Sequence, residues 1–289
     1  MTDIANIVIQ GILLGGLFAI YALGLSLVFG VLRIVNIAHG DVLVLAAYVA
    51  FVLSETLAIS PFLALLILIP LTLLGGLTFQ IGIFERVDRR DPLVPMLVAF
   101  GFAVVIQNGL LLLFGTNPRK LDAGAIEQLS VSPLPGINVS VLAVLILGIA
   151  IALIAVFQAI IYRSRFGIQV RAVSDSEDNA RLIGVDITAT FRKAFMMVML
   201  TVAVGAVLMG IKTNFDPFSG ASRLLIAFEV VVIGGLGNLW GTLAAGIVIA
   251  LAQMVGASID VSYQTLAGHL VFLLVLVIRP QGLFPKVVG

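Results

Sequence analysis

Residues 164–193 read SRFGIQVRAVSDSEDNARLIGVDITATFRK, and their polarity decides how the rest of the chain is read. Counted from Arg163, this is the long charge-dense segment between hydrophobic runs. It holds Arg163, Arg165, Arg171, Arg181, Arg192 and Lys193, six of the 16 Lys and Arg residues in the chain. On both sides the sequence is written for lipid. Hydrophobic residues make up 61% of 289 and charged residues 11%, with a mean hydropathy of +1.21. Soluble domains carry roughly 25% charged residues, so the composition is that of an integral membrane protein.

Working outward, charge-free runs mark the spans, since about 20 apolar residues cross the hydrocarbon core as a helix. Eight crossings are expected: one between Asp3 and Arg33, one from Val42 to Ser54, one at 56–84, then 93–114, 139–162, 194–211, 239–257 and 266–278. The run 224–233 is too short to cross, carries Glu229 and leads into glycines 234, 235 and 237. It reads as a broken or half-length helix. The fold class is thus all-α, a polytopic helix bundle in one transmembrane domain over 1–289. The polar segment 163–193 reads as a cytoplasmic loop, and 115–138, with prolines 118, 133 and 135, as an external one.

Basic residues favour cytoplasmic loops. Placing 86–92 and 163–193 inside also brings Arg33, Arg279 and Lys286 inside. Arg119, Lys120, Lys212 and Arg223 then stay outside. The N-terminus is expected outside and the C-terminus inside, if the half-helix counts as a crossing. The N-terminus lacks the basic region of a cleavable signal, so the first span is expected to be retained. An interruption in each half, at 33–41 and 234–241, fits either an internal repeat or the ordinary abundance of glycine in membrane helices.

Several chemistries are set aside. The chain has no cysteine and two separated histidines, so no metal site is expected. No phosphate-cradling GxxxxGK[ST] occurs, nor HExxH or GxSxG, so no enzyme chemistry and no cofactor is expected. No ladder of intramembrane carboxylates marks a proton-driven carrier.

The polar knot Asn36-Ile-Ala-His39-Gly40-Asp41 has two open readings. Either it is a broken helix beside a translocation path, which must line water or be buried in protein, or a cytoplasmic turn whose Asp41 caps the next helix. Glu229 could meet a substrate amine, pair with Arg223, or lie near the interface. His269 reads as a packing or hydrogen-bonding histidine rather than a proton relay, which would need ionisable partners that the neighbouring sequence lacks. GxxxG matches at 11–15 and 237–241 read as helix packing. Within 163–193, residues 175–183 have acids first and Arg181 late, the order a helix macrodipole favours, with Gly184 as a stop. A short amphipathic helix there can seat in a groove of a soluble partner.

The run Tyr21-Ala-Leu-Gly24-Leu-Ser26-Leu-Val-Phe-Gly30-Val-Leu-Arg33-Ile-Val-Asn36-Ile-Ala-His39-Gly40-Asp41 resembles the N-terminal signature of permease subunits of branched-chain amino-acid ABC importers. Gly167-Ile-Gln-Val-Arg171-Ala172-Val-Ser-Asp175, continuing through Asp178, Ala180 and Gly184-Val185-Asp186, is similar to that family's coupling segment. Gly234-Gly-Leu-Gly237-Asn-Leu-Trp-Gly241-Thr and Arg279-Pro280-Gln-Gly282-Leu-Phe284 are similar to its C-terminal motifs. The resemblance implies a multi-pass protein of a prokaryotic inner membrane. It implies a homologous second permease, two cytoplasmic ABC ATPase subunits and an extracytoplasmic substrate-binding protein as partners. ATP hydrolysis is expected in the ATPases. On this resemblance Gly167, Arg171, Ala172, Asp175, Asp178, Ala180 and Gly184 couple to them, while Asn36, His39 and Glu229 are expected along the path. Importing urea or amides by the same machine is the alternative substrate reading. An ion-coupled secondary transporter is the alternative machine.

Overall fold

The computed structural model describes residues 2–31, 36–87, 91, 93–134 and 137–284. Arg33, Lys286 and most of the 86–92 basic loop lie outside the described residues. The helices are α1 (Thr2–Val31), α2 (His39–Leu57), α3 (Pro61–Gly82), α4 (Leu93–Phe114), a single turn α5 (Ala125–Gln128), α6 (Val141–Arg163), α7 (Arg165–Asp175), α8 (Glu177–Leu182), α9 (Ile187–Lys212), α10 (Ser219–Gly234), α11 (Leu239–Ile259) and α12 (Tyr263–Ile278). Among the described residues, seven helices are long and apolar enough to cross a membrane: α1, α2, α3, α4, α6, α9 and α11. The shorter apolar α12 follows them. With α10 as the partial helix, this is the expected all-α polytopic bundle.

Polar residues set the helix starts. Ser60, Ser140, Asp186 and Asn238 each accept a hydrogen bond from a backbone N–H of the first turn that follows, satisfying a donor the helix cannot. Pro61 occupies the first turn of α3, where its missing N–H costs nothing. The 115–138 loop adds what the composition did not announce, an antiparallel hairpin of β1 (Ser130–Leu134) and β2 (Ile137–Ser140). It is tied to α1 through Gln10 Nε2, which donates to the Asn138 carbonyl (2.9 Å).

The helices are not equivalent. In α1 and α9, 83% of the most apolar stretch is buried, against 17% in α3 and 22% in α4 and α6. The first two are therefore the core, and the others are the jacket. Gly15 makes the α1–α11 crossing possible, because a Cβ there would lie 2.6 Å from the Cα of Ile247. The GxxxG stripe at 11–15 is a packing device, as small residues are in membrane bundles.

Two boundaries differ from the charge-based reading, for one reason. α9 starts at Ile187 rather than 194, and α10 at Ser219 rather than 224. In both, polar residues belong to helix because they have partners inside the fold. Arg192 donates from Nε and Nη2 to the two oxygens of Glu85 (both 2.7 Å), and Gly220 is buried against α2. The segment 163–193 is accordingly helical nearly throughout rather than a loop.

Candidate functional site

Two clusters hold most of the residues singled out above. The first is the α7–α8 end. Ser164 caps α7 by accepting from Gly167 N (3.0 Å), and Ser176 caps α8 by accepting from Asn179 N (3.3 Å). The chain therefore bends at Ser176, and Asp175 closes α7 instead of opening the second helix. Residues Gly167, Val170 and Val173 are buried and recur every third position, which puts them on one face of α7. Gly167 is required by the bend, since a Cβ would collide with the Ile161 carbonyl. Arg171 is spent inside the molecule: Nη1 donates to the Ile161 carbonyl and the guanidinium carbon lies 5.3 Å from the Tyr162 ring centroid.

From α7 the contacts pass directly into the bundle. Ser174 Oγ donates to the Gly30 carbonyl (2.6 Å), at the end of α1. Gly30 in turn meets Gly237 backbone to backbone, since a Cβ at 30 would stand 2.8 Å from Gly237 Cα. Gly237 has φ +80°, a conformation that favours glycine. So α7, α1 and the α10–α11 turn share one joint.

Ala180 is buried against the bundle, while Asp175, Glu177, Asp178 and Arg181 are exposed. Gly184 ends α8 with φ +80°; its N–H bonds to Arg181 O, and Val185 N–H reaches back to Ala180 O. Nothing lies within 4 Å of a Cβ at 184, so a side chain there meets backbone strain rather than collision. Two residues escaped the charge-based reading. Leu182 and Ile183 are 85% and 74% exposed, an apolar tip beyond the acidic turn. Their signal was the placement of two large apolar residues immediately before a helix-stopping glycine.

The second cluster surrounds the start of α2. His39 is 2% exposed, and its Nε2 donates to the Tyr21 carbonyl (3.0 Å). Tyr21 lies about 15 Å short of the Val31 end of α1, at ~1.5 Å per residue. The non-helical backbone at 36–38 is therefore buried within the bundle rather than turning at its rim. Ala38 is the N-cap, without a side-chain cap bond, and Asp41 reaches α4 instead, accepting from Gln107 Nε2 (2.9 Å). Asp41 therefore does not cap α2, and the described backbone before it is buried in protein. The first turns of α2 and α10 meet here, with Gly40 against the Gly220 carbonyl and Asp41 over Gly220. Asn36, 2% exposed, lines a cavity of about 230 Å³ whose other walls include Val42, Leu45, Leu68, Phe79 and Met199.

Glu229 does not join Asn36 and His39. Positions 220 and 229 lie about two and a half turns apart at ~3.6 residues per turn, which puts them on opposite faces of α10. Its partner is neither Arg223 nor a backbone group. Arg223 bonds Thr213 and Asn214, and a Glu229 oxygen meets His269 Nδ1 on α12. His269 is thus a hydrogen-bonding histidine, and its partner lies 40 positions away in sequence.

Residues 7–279 match the family described as the permease component of the branched-chain amino acid transport system. The chain belongs to that family. The high-affinity branched-chain amino acid transport system permease protein BraD of Pseudomonas aeruginosa is 26% identical, over 96% of this chain and 94% of its own. LivH of Escherichia coli, of the same description, is 25% identical over the same shares. A probable branched-chain amino acid transport permease, LivH of Methanocaldococcus jannaschii, is 23% identical over 86% of this chain and 80% of its own. No solved structure matches the chain.

Proposed function

We propose that the chain is the membrane subunit of an ATP-driven ABC importer for branched-chain or related amino acids. It works with a homologous permease, two cytoplasmic ABC ATPase subunits and an extracytoplasmic binding protein, in the inner membrane of a prokaryote. The observation that carries this reading is α8: a short capped helix whose apolar tip, Leu182 and Ile183, stands out from the bundle behind an acidic turn. A solvated connector has no reason to hold two large aliphatic side chains in water, whereas a groove on a soluble partner takes them as anchors. Asp175, Asp178 and Gly184 set the presented surface. Gly167, Arg171, Ala172 and Ala180 fix its angle to the bundle.

On this reading the α7–α8 end is cytoplasmic and the hairpin end is outside, with the N-terminus outside and the C-terminus inside. The path runs by the buried break at Asn36 and His39. The apolar cavity beside Asn36 suits an aliphatic side chain better than urea or an amide, whose polar groups would lose hydrogen bonds there.

The test is a mild-detergent pull-down of tagged protein from its native membrane. Wild type is expected to retrieve a P-loop ATPase and a second permease. The double variant Leu182→Asp, Ile183→Asp is expected to lose the ATPase at least fivefold while inserting normally. Undiminished ATPase recovery would remove α8 as the docking element. Wild type recovered alone, from membranes in which such an ATPase is present, would favour a gradient-driven carrier instead.

A further inference from the structure

The coupling reading gives no role to the Glu229–His269 pair, and its surroundings are unusual for a face that meets lipid. Glu229 is 2% exposed; one carboxylate oxygen meets His269 Nδ1 and the other is buried without a hydrogen-bond partner. His269 covers the carboxylate from outside, with 31% of its own side chain accessible. Because Nδ1 is turned inward to the carboxylate, Nε2 lies on the far side of the ring, and no described residue bonds it. α12 packs mainly on α11 and, more lightly, on α10. Its outward stripe is Leu266, Leu270, Leu273 and Val277, each about half exposed or more. These recur at helical spacing, and His269 sits on the edge of the stripe.

Lipid cannot answer this arrangement. Hydrocarbon offers no partner to an imidazole nitrogen, and an ionisable pair within a span is costly unless it faces protein or water. α4 shows what a lipid-compatible face looks like here. Phe100, Val105, Leu112 and Leu113 point outward, and its exposed amide, Asn108, donates back to its own helix at the Val104 carbonyl (2.8 Å). His269 has no such internal escape on its outer side.

We propose that the α12 face around His269 is the seam on which the second, homologous permease subunit packs, presenting a hydrogen-bonding side chain to His269 Nε2. The inference rests on the importer reading above, which supplies that subunit. The Glu229 carboxyl behind the ring engages Nδ1 and leaves Nε2 facing outward, where a polar group of the neighbouring subunit can meet it. The leucine stripe supplies the packing surface, and the histidine supplies the register, as a lone polar group does in an apolar helix interface.

The chain has no cysteine, so single cysteines can carry a photoactivatable benzophenone maleimide. Leu270→Cys and Leu273→Cys are expected to capture the second permease in native membranes at least fivefold more than Leu112→Cys and Leu113→Cys. Adducts are identified by mass spectrometry. Equal or greater capture from α4, lipid adducts alone on α12, or capture only of a second copy of this chain would overturn the seam. His269→Leu provides an independent readout. A lipid-facing histidine predicts unchanged or better recovery of the second permease with the leucine, whereas the seam predicts at least a fivefold loss at normal yield of this chain. If wild type retrieves both partners but α4 makes the cross-links, the seam fails and the importer stands. If wild type retrieves neither partner, both readings fail.

Discussion

Arg171→Glu is expected to reduce substrate uptake about a hundredfold while the protein still inserts and accumulates. The guanidinium holds the hinge between α6 and α7, donating to the Ile161 carbonyl and lying over Tyr162. A hydrogen bond from a charged group is worth about 1.5–3 kcal/mol and an exposed cation–π contact about 0.5–1 kcal/mol. Their loss loosens α7 by roughly 2–4 kcal/mol in all, at about 1.4 kcal/mol per tenfold, and the new carboxylate is also repelled by the carbonyl it replaces the donor for. Arg171→Lys keeps the charge but not the planar stack, and an intermediate loss of about tenfold is expected. Arg165→Glu, at an exposed position of the same helix, is expected to cost less than threefold. The measurement is ATP-driven uptake of radiolabelled amino acid into inverted-control and right-side-out vesicles, with ATP hydrolysis followed in parallel. Uptake lost while hydrolysis persists identifies a broken linkage. Arg171→Glu transporting within twofold of wild type would show that the α6–α7 joint carries no motion.

That variant also shows where sequence reading stops. Residues 163–193 are charged and isolated between apolar runs, which was enough to set them apart and to place α8 and its glycine stop. The family resemblance suggested that Arg171 faces a partner, because a free guanidinium and one bound to its own backbone look identical in sequence. The spans were legible because lipid tolerates few charges. The starts of α9 and α10 were not, because Arg192 and Gly220 are helical by virtue of Glu85 and α2, which are distant in the chain. Glu229 was visible as a costly carboxylate. Its histidine was not, since nothing in a one-dimensional pattern links the face of α10 to that of α12. The break at Asn36 to Asp41 was legible as an interruption, but its burial depended on the Tyr21 carbonyl in α1.

Gly40→Val is expected to give the largest loss of stability, lowering the melting temperature of the detergent-purified protein by about 10 °C or preventing its accumulation. A Cβ at 40 collides with the Gly220 carbonyl, which is backbone and cannot rotate away. Nor can either helix slide easily. α2 is pinned by His39 to Tyr21 and by Asp41 to Gln107. The entry to α10 is fixed by Asp216, which accepts from Phe218 N and from Ser219 Oγ (both 2.8 Å). Overpacking by even a methylene costs about 1–3 kcal/mol, and valine adds three carbons. Against this, removing glycine from a helix returns at most about 1 kcal/mol, so the collision wins. A net loss near 3 kcal/mol corresponds to about 10 °C at roughly 2–4 °C per kcal/mol for larger domains. Gly109 supplies the contrast, being helical with nothing within 4 Å of a Cβ. Gly109→Ala should be neutral or stabilising by up to about 1 kcal/mol. Gly220→Ala should repeat the Gly40 defect from the other side, because its Cβ meets the Asp41 carboxylate. If Gly40→Val melts within 2 °C of wild type, the two helix starts do not meet. With matched losses at 40 and 220 and none at 109, the buried break beside Asn36 depends on two glycines holding the positive ends of two helices together, with the Asp41 carboxylate over them.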